Sequence, residues 1–335
     1  MMKPSRLLAA VAILLWCALL GVRAATPADV AVDSVGIPVS DMQRSRAFYH
    51  DVLGFREVAD REVFGEPYEK LYGVFGVRLH AVRMQLGDEF IELMQFQAPR
   101  GRPLPVDSRS NDHWFQHVAI IVSDMDKAYA VLREHQVGYA STAPQRLPDW
   151  NPNAGGIQAF YFRDPDDNNL EVLAFPPGKG QPRWQRKDHI FLGIDHTAIV
   201  VSDTGRSLAF YRQGLGLKVA GASENYGTEQ EHLNNVRGAH LRITALRGTG
   251  GPGIEFLEYL APRDGRAIPT DSRATDAWYW QINLATANPQ SAAPPAAPRV
   301  SDEMAVLPGM ELGAARGIVV RDPDGHANFI YGAQP

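Results

Sequence analysis

Cysteine is the residue this chain most nearly lacks. There is one in 335 residues, Cys17, and it lies inside an apolar run at residues 7–22. Beyond that run the chain has no thiol, which excludes disulfides, cysteine nucleophiles and thiolate metal sites together. Basic patches interleaved with aromatics are also missing, so there is no electrostatic footprint of a nucleic-acid binder. The apolar run is short for a spanning helix. Lys3 and Arg6 precede it, and Ala24 and Ala25 follow Arg23, the composition of a cleavable secretory signal over residues 1–24. The expectation is an exported protein, periplasmic or secreted, with no stable membrane association once the signal is removed. A thiol-free chain suits an oxidising compartment. Without its signal the chain keeps 30 basic residues against 38 acidic ones, a net charge of −8. A small-molecule substrate or a protein is then the favoured partner.

What the chain has in quantity is length and repetition. Its 335 residues, 45% hydrophobic and 21% charged, exceed one ordinary core and suit two soluble domains. Residues 176–180, Pro-Pro-Gly-Lys-Gly, mark the clearest linker. This places a first domain at 30–176, a linker at 177–191 and a second domain at 192–332. Each domain divides again, into units 30–98 and 112–176 and into units 192–261 and 276–332.

Residues 193–217, GIDHTAIVVSDTGRSLAFYRQGLGL, show the repeated pattern. Residues 194–201 are β-branched or small and suit a buried strand, with His196, Ala198 and Val200 on one face. Asp203 is placed to cap a helix, Leu208, Tyr211 and Leu215 recur at helical spacing, and Gly216 suits a left-handed stop. Residues 32–55 align with 194–217 without a gap, and in both units the last strand is followed by Ala-Pro-Arg. Residues 108–122 align with 272–286 in the same way. The second and fourth units both end in a hairpin around Arg-Asp-Pro-Asp, a turn signal. The second unit carries an amphipathic helix after Asp124. In the fourth, Pro289, Pro294, Pro295 and Pro298 predict a helix that is shortened or missing.

This β-α-β-β-β repeat has a histidine on its first strand and a glutamate on its last. It resembles the vicinal oxygen chelate superfamily, which includes glyoxalase I, methylmalonyl-CoA epimerase, extradiol dioxygenases and bleomycin-resistance proteins. The resemblance rests on HTAIVVSD with SLAFYRQGLGL, QHVAIIVSD, GIEFLEYL and RDPDDNNLEVL, and it covers nearly all of the chain beyond the signal. It implies an α+β fold in which four βαβββ modules form two curved-sheet, half-barrel domains. In metal-binding members, the first and last strands of two facing modules supply the ligands. Carried over, the first module supplies Ser34 and Glu92, the second His117 and Glu171, the third His196 and Glu255, and the fourth Gln281 and Phe329. Only the second and third pairs are intact.

Which modules face each other decides whether a site exists. Neighbours facing each other would leave two incomplete sites. If the second faces the third and the first the fourth, as in fused glyoxalases, one complete set results: His117, Glu171, His196 and Glu255. A degenerate set of Ser34, Glu92 and Gln281 would stand beside it. This second arrangement is the expectation, because it explains where the ligands survive. Glu171 between Leu170 and Val172, and Glu255 between Ile254 and Phe256, are costly to bury without a partner. A divalent cation satisfies both carboxylates, two neutral imidazoles complete the shell, and Ni, Zn, Co and Fe all suit such donors.

By resemblance to glyoxalase I, the activity would be that of a metal-dependent lyase or isomerase moving a proton next to a carbonyl. Glu171 would be its base and Glu255 a second one. Glutathione is scarce outside the cytoplasm, so another small α-oxygenated substrate is expected. Residues 223–236, with Asn225, Tyr226, Asn234 and Asn235, read as a polar loop that either lines the substrate pocket or is solvated surface. Two other classes stay open: a metal-free ligand-binding module like the bleomycin-resistance proteins, and an Fe(II) extradiol dioxygenase using two histidines and one carboxylate. Four units can close two clefts within one chain, so a monomer is reasonable.

Overall fold

The structure is a computed structural model and describes residues 29–301, 303–308 and 312–332; the predicted signal lies outside them. No helix among the described residues is long and apolar enough to cross a membrane. The first unit runs β1 (Val30–Pro38), α1 (Met42–Ala47), β2 (Arg56–Phe64), α2 (Glu66–Tyr72), β3 (Arg78–Leu86) and β4 (Glu89–Ala98). The second runs β5 (Gln116–Val122), α3 (Met125–Glu134), the short β6 (Gly138–Tyr139) and β7 (Gln145–Arg146), then β8 (Gln158–Arg163) and β9 (Asn169–Ala174). The third runs β10 (Phe191–Val200), α4 (Thr204–Leu208), β11 (Lys218–Tyr226), α5 (Thr228–Asn234), β12 (His240–Arg247) and β13 (Gly253–Ala261). The fourth runs β14 (Gln281–Thr286), α6 (Pro289–Ala292), β15 (Ala305–Val306), β16 (Arg316–Arg321) and β17 (Ala327–Gly332).

Local chemistry explains these elements. Asp41, Asp124 and Asp203 each accept a backbone N–H from three residues on, starting α1, α3 and α4. Gly216, at φ +78°, ends the π-helical turn that prolongs α4. In the fourth unit the prolines leave α6 only four residues long. One expectation needs correcting: residues 223–236 are not a loop but the end of β11 followed by α5. The glycine at 227, at φ +94°, makes the break between them.

The strands form two mixed sheets, and each sheet takes one unit from either half of the chain. One has the order β15-β16-β17-β14-β1-β4-β3-β2, the other β11-β12-β13-β10-β5-β9-β8-β6, with β7 on β8. Antiparallel pairs β1–β14 and β5–β10 join the units at the centre of each sheet. The convex faces pack the other way. Tyr49 and Leu53 of the first unit share a core with Phe160 and Leu170 of the second, and Tyr211 and Leu215 of the third with Ile318 and Ile330 of the fourth. The sheets therefore link units one to four and two to three, and the helix layers link one to two and three to four.

A pair of clasps accompanies this exchange. The segment after β4 carries Arg102 to the start of the fourth unit. There its backbone N, Nε and Nη2 donate to Asp276 at 3.0, 3.1 and 2.7 Å, with the guanidinium over Trp278. The segment after β13 carries Arg266 to Asp112 of the second unit at 3.0, 3.0 and 2.7 Å, over Trp114. The crossings need glycine. A Cβ on Gly101 would come within 1.9 Å of Thr275 O, and one on Gly265 within 1.8 Å of Asn111 O.

Candidate metal centre

Strand register assembles the site. Antiparallel pairing sets His117 opposite Ala198 and His196 opposite Ala119. Parallel pairing sets Glu171 beside Ala119 and Glu255 beside Ala198. Alternation then puts all four chemical side chains on the concave face, around two methyl groups too small to reach between them.

His117 Nε2 lies 3.2 Å from Glu171 Oε2, and His196 Nε2 lies 3.7 Å from that oxygen and 3.4 Å from Glu255 Oε2. Nitrogen and oxygen ligands sit about 2.1 Å from such a cation, so ligands at right angles stand about 3 Å apart. The spacing is close to that. Donor atoms of His117, Glu171 and His196 all lie within 4.8 Å of one another. Glu255 stands at the edge, its side chain 21% exposed, while the other three are buried. Both ring nitrogens of His117 and Nε2 of His196 are buried without a hydrogen-bond partner. Buried polar atoms left in that condition are rare and costly. The donor set fits a divalent cation, which accepts nitrogen lone pairs and neutralises the carboxylates.

The electrostatics agree with the geometry. Burial opposes charge on His196, but Glu255, Asp195 and Glu171 outweigh it and push the imidazole up to about 9. Burial pushes Glu255 up against the pull of His196, with Glu171 adding to the rise. Tyr161 packs its ring 4.8 Å from that of His117, and burial followed by Glu171 pushes its phenol well above the ordinary range. A proton on His196 offsets part of the negative charge around it.

Sequence reasoning misses one member of the site, Asp195. β10 bulges between Ile194 and His196, so Asp195 is the inserted residue and drops out of the ladder. The bulge sends Ile194 into the convex core while His196 faces the concave side. Asp195 Oδ2 lies 3.1 Å from His196 Nδ1, and Arg247 at 2.8 and 2.9 Å and Trp184 Nε1 at 3.1 Å hold the carboxylate. A carboxylate behind an imidazole fixes which nitrogen faces the site. The signal was in the repeat: Asp33 precedes Ser34 as Asp195 precedes His196, it sits on an equivalent bulge, and Arg83 holds it at 2.7 and 2.9 Å.

Ser34, Glu92 and Gln281 also meet in the other sheet, in a closed hydrogen-bond network. Asn283 takes the place that Ala119 holds in the intact set. Its Nδ2 donates to Ser34 Oγ at 2.9 Å and Glu92 Oε2 at 3.0 Å, and its Oδ1 accepts from Gln281 Nε2 at 2.8 Å. Phe329 stands where Glu171 would be. Burial pushes Glu92 up to about 7, with Arg83 3.8 Å away opposing. A carboxyl raised in this way stabilises the fold below its ordinary range, and that contribution is lost as pH rises through about 7. Glu92→Gln should therefore match the parent near about pH 5 and exceed its stability by up to about 3 kcal/mol above about pH 8. Thermal unfolding at both pH values tests this, and an equal difference at both would refute it.

The residues proposed for substrate binding are scattered. Asn225 is buried and its Oδ1 accepts from Asn151 Nδ2 at 2.8 Å; Asn234 is buried against Gln230. Asn235, at φ 51°, is the exposed left-handed cap of α5. Tyr226 lies at the surface against Trp150, ring centroids 4.5 Å apart. Trp278, Tyr279 and Trp280 are buried.

Two curved sheets, each built from paired β-α-β-β-β units with a histidine–glutamate cluster on one concave face, define the class. The sequence matches the family described as Glyoxalase/Bleomycin resistance protein/Dioxygenase superfamily over residues 31–172 and 193–330, and the chain belongs to that family. Among its relatives, the uncharacterized protein YaeR of Escherichia coli (strain K12) is 33% identical over 141 residues, spanning 42% of this chain and 93% of YaeR. YwkD of Bacillus subtilis (strain 168) is 30% identical over 142 residues, spanning 42% and 94%. Glyoxalase I from Zea mays superposes with a TM-score of 0.58 at 16% identity, covering 90% of this chain and 92% of the maize chain. A candidate dioxygenase from Bacillus subtilis gives 0.54 at 15%, covering 93% and 87%. At those identities the likeness is one of fold.

Proposed function

We propose that this protein is an exported, divalent-metal-dependent enzyme of the glyoxalase and isomerase type, moving a proton next to a carbonyl of a small oxygenated substrate. The observation that supports it best is the convergence of His117, Glu171, His196 and Glu255 with imidazole nitrogens left without hydrogen-bond partners. These four residues would hold the ion. When bound, a divalent ion supplies Lewis acidity toward vicinal substrate oxygens, acidifying the adjacent C–H. The chain's own work is to move that proton. Glu255, at the exposed edge with its proton affinity raised by burial, is placed to take it at Oε2. Glu171, the base implied by resemblance, lies deeper, with Oε2 already against both histidines. Asp195 keeps His196 Nε2 aimed inward. The proposed signal over residues 1–24 supports export and argues against glutathione as a co-substrate.

The test is proton exchange in deuterated water, followed by NMR on a panel of α-hydroxyketones with protein loaded with Ni, Co, Zn or Fe(II). Exchange next to the carbonyl should require metal, and Glu255→Gln should lose it while retaining metal. Ligand binding without any metal uptake would point instead to a bleomycin-resistance-like binding module. One observation favours a second enzyme reading: His117, Glu171 and His196 are the two-histidine, one-carboxylate set that suits Fe(II) and oxygen. Units of one half cannot supply two histidines, but the shared sheet of units two and three does. Catechol-dependent oxygen uptake confined to the Fe(II) form, with no proton exchange, would establish that reading.

A further inference from the structure

The repeat contains its own internal comparison at the N-terminal ends of the central strands, where Arg163 and Arg321 occupy equivalent places in the Arg-Asp-Pro-Asp hairpins. In the fourth unit the arrangement is closed. Arg321 Nη1 donates to Gly325 O at 2.7 Å and Nη2 to Ser272 O at 3.0 Å, with Tyr279 beneath it. The space left there is about 10 Å³.

In the second unit the equivalent residues line a cavity of about 130 Å³, and the Arg163 side chain is left 31% exposed beside it. Arg163 Nε is buried without a hydrogen-bond partner, and Nη1 makes a loose ion pair with the largely exposed Asp167 at 3.8 Å. Substitution at neighbouring positions explains the difference. Phe115 stands for Tyr279 and Asn168 for His326, and the hairpin residue is Asp167 (φ 63°) where the fourth unit has Gly325. Trp114 and Trp280 wall the cavity, and Gln116 and Asn169 stand at its strand ends. None of the four clustered metal-centre residues lines it.

We infer that this cavity is a binding site for a small monocarboxylate, held by the Arg163 guanidinium between the two tryptophans. Its volume is roughly that of four waters in the liquid, room for a carboxylate on a short apolar tail. A guanidinium pairs with a carboxylate through two parallel N–H donors. One cation with a carboxylate close by offsets one negative charge and disfavours a dianion. The other nearby guanidinium, Arg109, is already spent on Asp264. The inference is independent of the metal centre.

The test titrates propanoate, inorganic phosphate and neutral propanamide into the protein, following the ¹⁵N-labelled indole N–H signals of Trp114 and Trp280. Propanoate should shift both saturably and bind at least about tenfold more tightly than either comparison compound, the worth of one charge-assisted pair. Arg163→Gln should abolish the response. Arg163→Lys, which keeps the charge but loses the fork, should weaken it about tenfold, and Arg321→Gln should leave it intact. Equal binding of propanamide, tighter binding of phosphate, retention in Arg163→Gln or no saturable shift would each overturn the proposal.

Discussion

His117→Ala and His196→Ala are each expected to abolish stoichiometric uptake of a divalent ion, which the parent chain should bind at about one per molecule. The residues behind a ligand typically contribute 10- to 100-fold to metal affinity, so loss of an imidazole ligand should exceed that. Asp195→Asn supplies the graded comparison: it leaves His196 in place, removes the charge that orients it, and should weaken metal by about 10- to 100-fold. The sign of the pH dependence follows from His196. Its imidazole is pushed up to about 9, so metal must displace a proton, and affinity should climb with pH until about 9. Elemental analysis after dialysis, with chelator competition for the affinities, checks all of this. Because the buried His117 ring packs on Tyr161, thermal unfolding of each alanine variant should accompany the metal measurement, and both are expected to remain folded. Full metal content in both variants would remove the proposed centre.

Asp112→Ala and Asp276→Ala should each destabilise the fold by about 3 kcal/mol. Neither side chain is a surface ion-pair partner of the ordinary kind. Asp112 accepts the backbone N–H of Arg109 at 2.8 Å and that of Arg266 at 3.0 Å, besides two guanidinium nitrogens, and its side chain is fully buried. Asp276 repeats this with Arg273 and Arg102. Deleting either carboxylate strands two part-buried backbone donors together with the guanidinium they share it with. Arg266 and Arg102 are themselves partly exposed, so the loss comes mainly from the donors and less from the charge. Urea denaturation measures it. A change below about 1 kcal/mol, the level of an exposed ion pair, would show that the clasps do not hold the crossing segments.

Much of the fold is legible residue by residue. Asp124, Asp203 and Gly216 announce helix ends because capping is local chemistry, and four prolines announce the cut-down helix of the fourth unit. Residues 223–236 mislead for an equally physical reason. Their polar composition suggests a loop, yet Asn225 and Asn234 are buried with their carbonyl oxygens accepting from neighbouring amides, a condition one strand cannot reveal. Asp195 and Asn283 escape notice because their roles depend on a bulge and on a cross-strand partner. Neither leaves a mark in the period-two pattern.

The repeats, the absence of thiols, and the survival of a histidine and a glutamate in only two of four units are properties of the sequence alone. They follow from side-chain chemistry and local periodicity. That the surviving pairs meet was decided by tertiary structure, through antiparallel pairing of β5 with β10 in a register that sets each histidine against an alanine. Which units share a sheet depends on long-range crossings such as Arg266 onto Asp112, and no window of sequence contains both ends of such a contact.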